Sequence, residues 1–143
     1  MKHLLTLAFG LSMAAAPLMA DGHASGDAEA GEKIFKKCKA CHAIVAADDT
    51  VIAKGGRSGP NLFGLYTRAA GSVDGFKYGK SIVAAGEAGL EWNEADFVTY
   101  LANPKQFLIS YLDNKKAKSK MAFRLKDEED AANVWAYLVS TDP

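Results

Sequence analysis

The sequence predicts an all-α domain with about four or five helices and long connecting loops. Three observations predict this fold class: apolar residues recur at helical spacing, capping residues stand before those stretches, and stretches rich in glycine and proline separate them. Roughly 120 residues remain after an apolar N-terminal segment, and that length suits one small domain.

The first predicted helix begins after Asp27 and runs to about Lys39. Acidic residues stand in its first turns and lysines near its end, an order that suits the helix dipole. Ile34, Phe35 and Cys38 recur at helical spacing and form the predicted inward face.

Later helices are predicted from cap residues and apolar stripes. One runs over 80–88, and a second is capped by Asn93 and runs to about Ala102. Pro104 ends that helix and can start a further one. The last helix begins near Asp127, and its apolar stripe comprises Val134, Tyr137 and Leu138. The stretch 43–66 is rich in glycine, and we expect it to be a loop.

The N-terminus predicts a secretory signal peptide. A short basic start precedes a largely apolar stretch that is too short for a membrane span. Small residues offer cleavage after Ala20, with Ala24 as the alternative, so residues 1–20 form the predicted leader and 21–143 a single domain. An uncleaved amphipathic anchor is the competing interpretation. Export would place the domain in the periplasm of a Gram-negative bacterium.

The charges are balanced overall but unevenly distributed. The chain has 17 basic and 17 acidic residues, and loss of Lys2 with the leader leaves one more acid than base. No basic tail follows, and we expect no nucleic-acid partner. One acid, Asp113, interrupts seven basic residues in a single stretch: Lys105, Lys115, Lys116, Lys118, Lys120, Arg124 and Lys126.

Cys38-Lys39-Ala40-Cys41-His42 forms a CxxCH motif, which is typical of c-type haem attachment. Two thiols on one helical turn can form thioethers to one porphyrin, and the adjacent imidazole can reach its iron. A structural disulfide is the competing use of the cysteines in an exported protein. A thioredoxin-like pair would need a βαβ context, and a zinc site would need further ligands that the chain lacks.

Met121 is the only methionine outside the predicted leader. A low-spin electron-transfer haem needs a second axial ligand besides histidine, commonly a methionine thioether. The sequence therefore predicts His42 and Met121 as ligands of one haem iron and indicates an electron carrier.

Five stretches together resemble a class I c-type cytochrome, specifically the bacterial cytochrome c2 and cytochrome c-550 group. The resemblance covers the whole domain after the leader and implies the small class I fold, wrapped around one covalently bound haem. The stretches are GEKIFKKCKACH (31–42), SGPNLFG (58–64), YLANP (100–104), KMAF (120–123) and VWAYL (134–138).

The resemblance also implies roles for residues around the haem. The carbonyl of Pro60 would accept the imidazole N–H, although Pro60 can equally shape a turn. Arg68, Tyr78 and Trp92 match positions near the haem propionates, where buried carboxylates need donors. Tyr100 matches a tyrosine beside the methionine ligand. Core packing is the competing interpretation for Trp92 and Tyr100.

Lysines in segments expected around the haem opening are predicted to dock acidic redox partners by electrostatic steering. A merely solvated surface is the competing interpretation of such charge runs. The predicted docking residues are Lys36, Lys39, Lys54, Lys105, Lys118 and Lys120.

Three functions compete at this stage. The resemblance implies a monomeric electron carrier that takes electrons from a cytochrome bc1-type complex. It would deliver them to a photosynthetic reaction centre, a terminal oxidase or a periplasmic reductase, and would meet membranes only through these partners. A haem enzyme such as a peroxidase needs an open iron position and a distal acid–base group, for which the chain offers no well-placed second histidine. A gas-binding haem protein of the four-helix-bundle kind would carry CxxCH near the C-terminus, whereas here the motif lies near the start of the domain.

Overall fold

The computed structural model describes residues 23–142, and the predicted leader lies outside the described residues. Five helices are present in this range, together with one short two-stranded hairpin, which confirms the predicted fold class. The helices are α1 (Ala28–Phe35), α2 (Lys80–Glu87), α3 (Glu94–Ala102), α4 (Pro104–Tyr111) and α5 (Glu128–Ser140). The strands are β1 (Ile44–Val45) and β2 (Val51–Ala53).

Side-chain caps fix the start of four helices. Each cap accepts a hydrogen bond from the backbone N–H three residues further on, which satisfies a donor that lacks a partner within the helix. The predicted caps of α1, α3 and α5 are confirmed, as is the start of α4 at Pro104. The four capping residues are Asp27, Asn93, Asn103 and Asp127.

The prediction that the first helix reaches Lys39 is wrong, because α1 ends at Phe35. Beyond that point the backbone bonds shorten to three-residue turns, with the N–H of Cys38 donating to the carbonyl of Phe35 at 2.8 Å. Such bonds wind the chain more tightly than an α-helix does. The CxxCH motif therefore lies on turns that continue α1 and not on the helix itself.

The prediction of an uninterrupted loop over 43–66 is also wrong. Strands β1 and β2 pair antiparallel within it, with Ile44 opposite Ala53 and Val45 opposite Val51, and the register is irregular between Ile44 and Val45. Both Ile44 and Ala53 are buried. The β-branched residues favour strands, but runs this short give too weak a sequence pattern to predict.

The core forms where α1 crosses α5 and where α3 packs on α5. Gly31 lies so close to α5 that a β-carbon there would overlap the backbone of Asn133. Beside this contact the rings of Phe35 and Tyr137 lie 5.4 Å apart, and Trp135 is fully buried. The missing side chain of Gly31 allows the helices to cross closely.

Residues 23–27 lie along α5. The buried indole N–H of Trp135 donates to the carbonyl of His23 at 2.6 Å, and the phenol of Tyr66 contacts His23 Nδ1 at 2.7 Å. Gly26 packs against the backbone of Ala132 so closely that a β-carbon would not fit. Within residues 23–142, no helix combines the length and apolar character required to cross a membrane.

Candidate haem-attachment site

The two cysteines lie on one turn after α1. Cys38 is half-buried and Cys41 is exposed, and both thiols are free of a disulfide. The N–H of His42 donates to the carbonyl of Cys38 at 3.0 Å, so one turn carries the whole motif. Burial raises the pKa of the Cys38 thiol to about 11, which keeps this thiol protonated at neutral pH in the folded chain.

A glycine-rich stretch packs against this turn. The N–H of Gly56 donates to the carbonyl of Lys39, and the N–H of Gly59 donates to the carbonyl of Cys41, both at 2.9 Å. A β-carbon at Gly55 would overlap the carbonyl of His42. Sequence reasoning treated these glycines only as signs of a loop. Their clustering just after CxxCH is the signal that indicates close backbone approach.

The His42 imidazole is held by one backbone carbonyl. Nδ1 lies 2.8 Å from the oxygen of Pro60, and because a carbonyl can only accept, Nδ1 carries the proton. Burial lowers the pKa of His42 and so favours the neutral ring. In the neutral ring Nε2 then keeps an unprotonated lone pair, as a metal ligand requires. Gly59 lies against this ring, with no space for a β-carbon.

Arg68 is half-buried and ties two loop carbonyls together. Its guanidinium donates to the carbonyls of Phe63 at 2.8 Å and Asn61 at 3.1 Å. Burial lowers the pKa of Arg68 and raises the pKa of Tyr78, and these two groups are close enough to act on each other. The fold therefore places Arg68 and Tyr78 near each other.

Trp92 and Tyr100 belong to an aromatic cluster, in which Trp92 is buried and Tyr100 is half-buried. Their rings are 5.1 Å apart in an edge-on arrangement, and Phe107 lies 5.6 Å from Tyr100. Burial raises the pKa of the Tyr100 phenol, which faces the side chain of Ser119 and lies close to Tyr78. Tyr100 thus connects the aromatic cluster to the segment that carries Met121.

Met121 lies in a segment without helix or strand, between α4 and α5. Its side chain is half-buried and packs against the core. The hydroxyl of Ser119 donates to the carbonyl of Met121 at 3.0 Å and accepts from its N–H at 3.1 Å. Sequence reasoning did not single out Ser119, although a serine two residues before the candidate ligand is a typical local turn former.

All six predicted docking lysines are exposed. Across residues 23–142 the ion pairs are Lys33 with Glu29 at 3.1 Å and Lys37 with Asp130 at 3.8 Å, and neither involves one of the six. Lys120 differs from the others because its Nζ donates to the carbonyl of Lys77 at 2.8 Å.

The residues present fit a haem. Two thiols on one turn, an imidazole with a free Nε2 and a thioether form a donor set of the right chemistry. In the described part of the chain, no group of three or more His, Cys, Asp or Glu side chains could hold a bare metal ion. Partly buried apolar side chains surround the core, as expected around a large apolar group: Leu62, Phe63, Ile82, Val98, Ile109 and Leu112.

Comparison with known proteins supports the same conclusion. No protein-family model matches the chain. Cytochrome c-551 of Roseobacter denitrificans is 50% identical over 141 residues, which cover 98% of this chain and 96% of that protein. Cytochrome c2 of Rhodobacter capsulatus is 53% identical over 117 residues, covering 81% and 83% of the two chains. The crystal structure of cytochrome c2 from Rhodobacter sphaeroides aligns with a TM-score of 0.79 at 47% identity, covering 81% of this chain and 96% of that one.

These identities extend over most of both chains, and the folds agree. Members of the group are electron carriers and not enzymes, and each carries one covalently bound haem c. The chain belongs to the cytochrome c2 and cytochrome c-550 group of class I c-type cytochromes.

Proposed function

We propose that this cytochrome is a periplasmic one-electron carrier whose haem is linked to Cys38 and Cys41 and ligated by His42 and Met121. The observation that carries the proposal is the contact of His42 Nδ1 with the carbonyl of Pro60, which leaves Nε2 free beside the two thiols. When bound, the haem supplies a one-electron Fe(II)/Fe(III) couple.

The chain's own residues position the ligands. Pro60 orients the imidazole and fixes its tautomer, as a hydrogen bond to the far nitrogen of a ligating histidine generally does. Met121 offers a thioether, a ligand type that raises the reduction potential of a haem. If His42 and Met121 both ligate the iron, they would leave it no position for a substrate, and the site would be suited to electron transfer.

Donors near the haem propionates would offset the cost of burying carboxylates. Arg68 has donors beyond the two that contact Phe63 and Asn61, because a guanidinium carries five N–H groups. Tyr78 lies beside it, and Trp92 offers an indole N–H. Tyr100 would support the methionine ligand through the neighbouring Ser119.

The exposed lysines would steer the protein to acidic partners. We propose a cytochrome bc1-type complex as donor and a photosynthetic reaction centre, a terminal oxidase or a periplasmic reductase as acceptor. The docking residues would be Lys36, Lys39, Lys54, Lys105, Lys118 and Lys120, which are all exposed. Small, charge-guided interfaces suit brief encounters between redox proteins.

An optical redox titration of the periplasmically matured protein tests the proposal. We expect a reversible one-electron wave at positive potential, together with the far-red band that marks methionine bound to ferric iron. A low potential, or a ferrous form that binds carbon monoxide readily, would show that the sixth position is open and would contradict the carrier assignment.

Export and processing need a separate test. We propose that residues 1–20 are removed as a leader, leaving Asp21 as the first residue of the exported protein. The intact mass of holoprotein from the periplasmic fraction distinguishes a start at Asp21 from a start at Ser25. A mass that retains Met1 and the whole apolar stretch would contradict the leader assignment.

A further inference from the structure

The segment that carries Met121, residues 112–127, has no helix or strand of its own. Such segments open locally more readily than helices do, unless other contacts hold them. The contacts that hold this segment should therefore decide how readily Met121 leaves its place.

Two polar contacts join this segment to the start of α2. The backbone N–H of Lys118 donates to Ser81 Oγ at 3.0 Å, and Lys120 Nζ donates to the carbonyl of Lys77 at 2.8 Å. The stem of Lys120 runs along Gly79, where a β-carbon would lie 3.4 Å from Lys120 Cγ. Both contacts are made just before Met121 in the chain.

We propose that residues 77–81 form a clamp that keeps Met121 in its liganding position, with Ser81 as a positioning residue. Ser81 acts through the backbone of Lys118. Lys120 serves as the second contact of the clamp, in addition to any part it plays in docking. The inference rests on the proposed ligation by Met121 and deepens it by naming what holds that ligand.

The clamp also works against charge repulsion. Lys77 and Lys80 are exposed at the start of α2, and Lys118 and Lys120 are exposed on the segment that it binds. Like charges brought close together favour separation, and the effect is largest at low ionic strength. The hydrogen bond from Lys120 Nζ to the carbonyl of Lys77 gives one of these charged groups an acceptor within the protein, whereas a lysine surrounded only by solvent has none.

Binding of imidazole to the ferric protein measures the opening directly. Added imidazole can take the sixth position only after Met121 has left it, so its apparent affinity scales with the open fraction. Loss of one neutral hydrogen bond typically changes such an equilibrium about fivefold. We therefore expect Ser81→Ala to bind imidazole about fivefold more tightly than the unaltered protein does.

A role of Ser81 in overall stability alone predicts a different result. If the bond to Lys118 persisted after Met121 left the iron, Ser81→Ala would lower the free energy of unfolding and leave imidazole affinity unchanged, because the better helix propensity of alanine offsets only part of the lost bond. Ser140→Ala is the matched control, because Ser140 is an exposed helical serine whose hydroxyl bonds within its own helix, to the carbonyl of Tyr137.

Lys120→Leu gives a second, independent variant. It keeps an apolar stem against Gly79 but loses the donor to Lys77, so it should also raise imidazole affinity. Lys115→Leu removes one charge from the same segment and controls for charge alone. Hydrogen exchange of the Lys118 amide should accelerate in Ser81→Ala and not in Ser140→Ala, which reports the clamp without reference to the haem.

The experiment comprises imidazole titrations, far-red spectra, denaturant unfolding and hydrogen exchange on the holoproteins. Higher imidazole affinity in Ser81→Ala than in Ser140→Ala supports the clamp. Equal affinity in the two variants overturns it, whether or not the free energy of unfolding falls in Ser81→Ala. An unaltered protein that lacks the far-red band overturns the ligation by Met121 itself, and the clamp with it.

Discussion

The two halves of the proposed haem site are held by different kinds of contact. The cysteine side comprises the turn that carries CxxCH and the stretch 55–60. Backbone hydrogen bonds from Gly56 and Gly59 hold these two parts together, and neither glycine leaves space for a β-carbon. The methionine side comprises residues 112–127 and 77–81. The side chains of Ser81 and Lys120 connect these two segments to each other.

This difference indicates which half can move. Backbone contacts without free space cannot open unless the main chain itself shifts, and close packing makes such shifts costly. Side-chain contacts at a half-exposed segment break one at a time, each at a modest cost. A change of haem ligand should therefore occur at Met121 and not at His42.

The largest expected effect comes from removing the sulfur ligand. Met121→Ala should lower the reduction potential by a tenth of a volt or more, within the roughly 0.8 V range that axial ligands set. The far-red band should disappear, because no thioether remains. Potentiometry with optical detection checks both. A variant with unchanged potential would remove Met121 as the ligand.

One substitution made on both halves tests the comparison itself. Gly55→Ala should cost about 2–4 kcal/mol of unfolding free energy, because its β-carbon would overlap the carbonyl of His42. Gly79→Ala should be nearly neutral, since its β-carbon would meet only the flexible stem of Lys120 at 3.4 Å and the backbone there is extended. Denaturant unfolding of the two holoproteins measures the difference. Equal losses would show that both halves are equally rigid.

Charge reversal on the cysteine side should slow reaction with a partner without loosening the site. Lys39→Glu combined with Lys54→Glu should reduce the second-order rate with a cytochrome bc1-type complex about tenfold at low salt, with a weaker salt dependence. Imidazole affinity should stay unchanged. Lys33→Glu on α1 is the control. If the double substitution leaves the rate unchanged, the docking role of these lysines is contradicted and they form only a solvated surface.

The smallest effect concerns alkaline pH. Burial raises the folded-state pKa of Tyr100 above its ordinary value near 10, so the neutral phenol is favoured in the fold. Its contribution to stability is complete below pH 10 and is lost as pH rises through the folded-state pKa. Tyr100→Phe should therefore lose less unfolding free energy between pH 9 and 11 than the unaltered protein does.

The exposed Tyr111 supplies the control for that comparison. Tyr111→Phe removes a phenol from an exposed ring and serves as the matched variant at every pH. Unfolding free energies from denaturant titration at each pH provide the measurement. Parallel curves for Tyr100→Phe and the unaltered protein would contradict the assignment of the alkaline loss to Tyr100.

The sequence predicted those features for which a residue type has a single structural role. Asp27 and Asn93 predicted helix starts because their side chains satisfy free backbone donors. The CxxCH motif led to a family that the relatives support. These signals are local, so the sequence alone carries them.

The sequence did not predict the features that depend on contacts between distant parts of the chain. The turns that follow α1 are bonded to the glycine stretch 55–59, a contact between segments that are separate in sequence. Strand β2 exists because it pairs with β1, and neither strand is long enough to predict alone. Ser81 meets Lys118 only in the folded chain, 37 residues away in sequence, and no local pattern marks it.

The crossing of α1 and α5 has a consequence for the order of assembly. Gly31 and Phe35 near the start of the domain pack against Asn133 and Tyr137 near its end, so this packing cannot form until almost the whole chain is available. Bringing such distant segments together costs loop-closure entropy before any contact repays it. During synthesis the CxxCH stretch therefore emerges long before the helix that closes over α1, and its thiols pass through a period of full accessibility that the finished domain denies to Cys38.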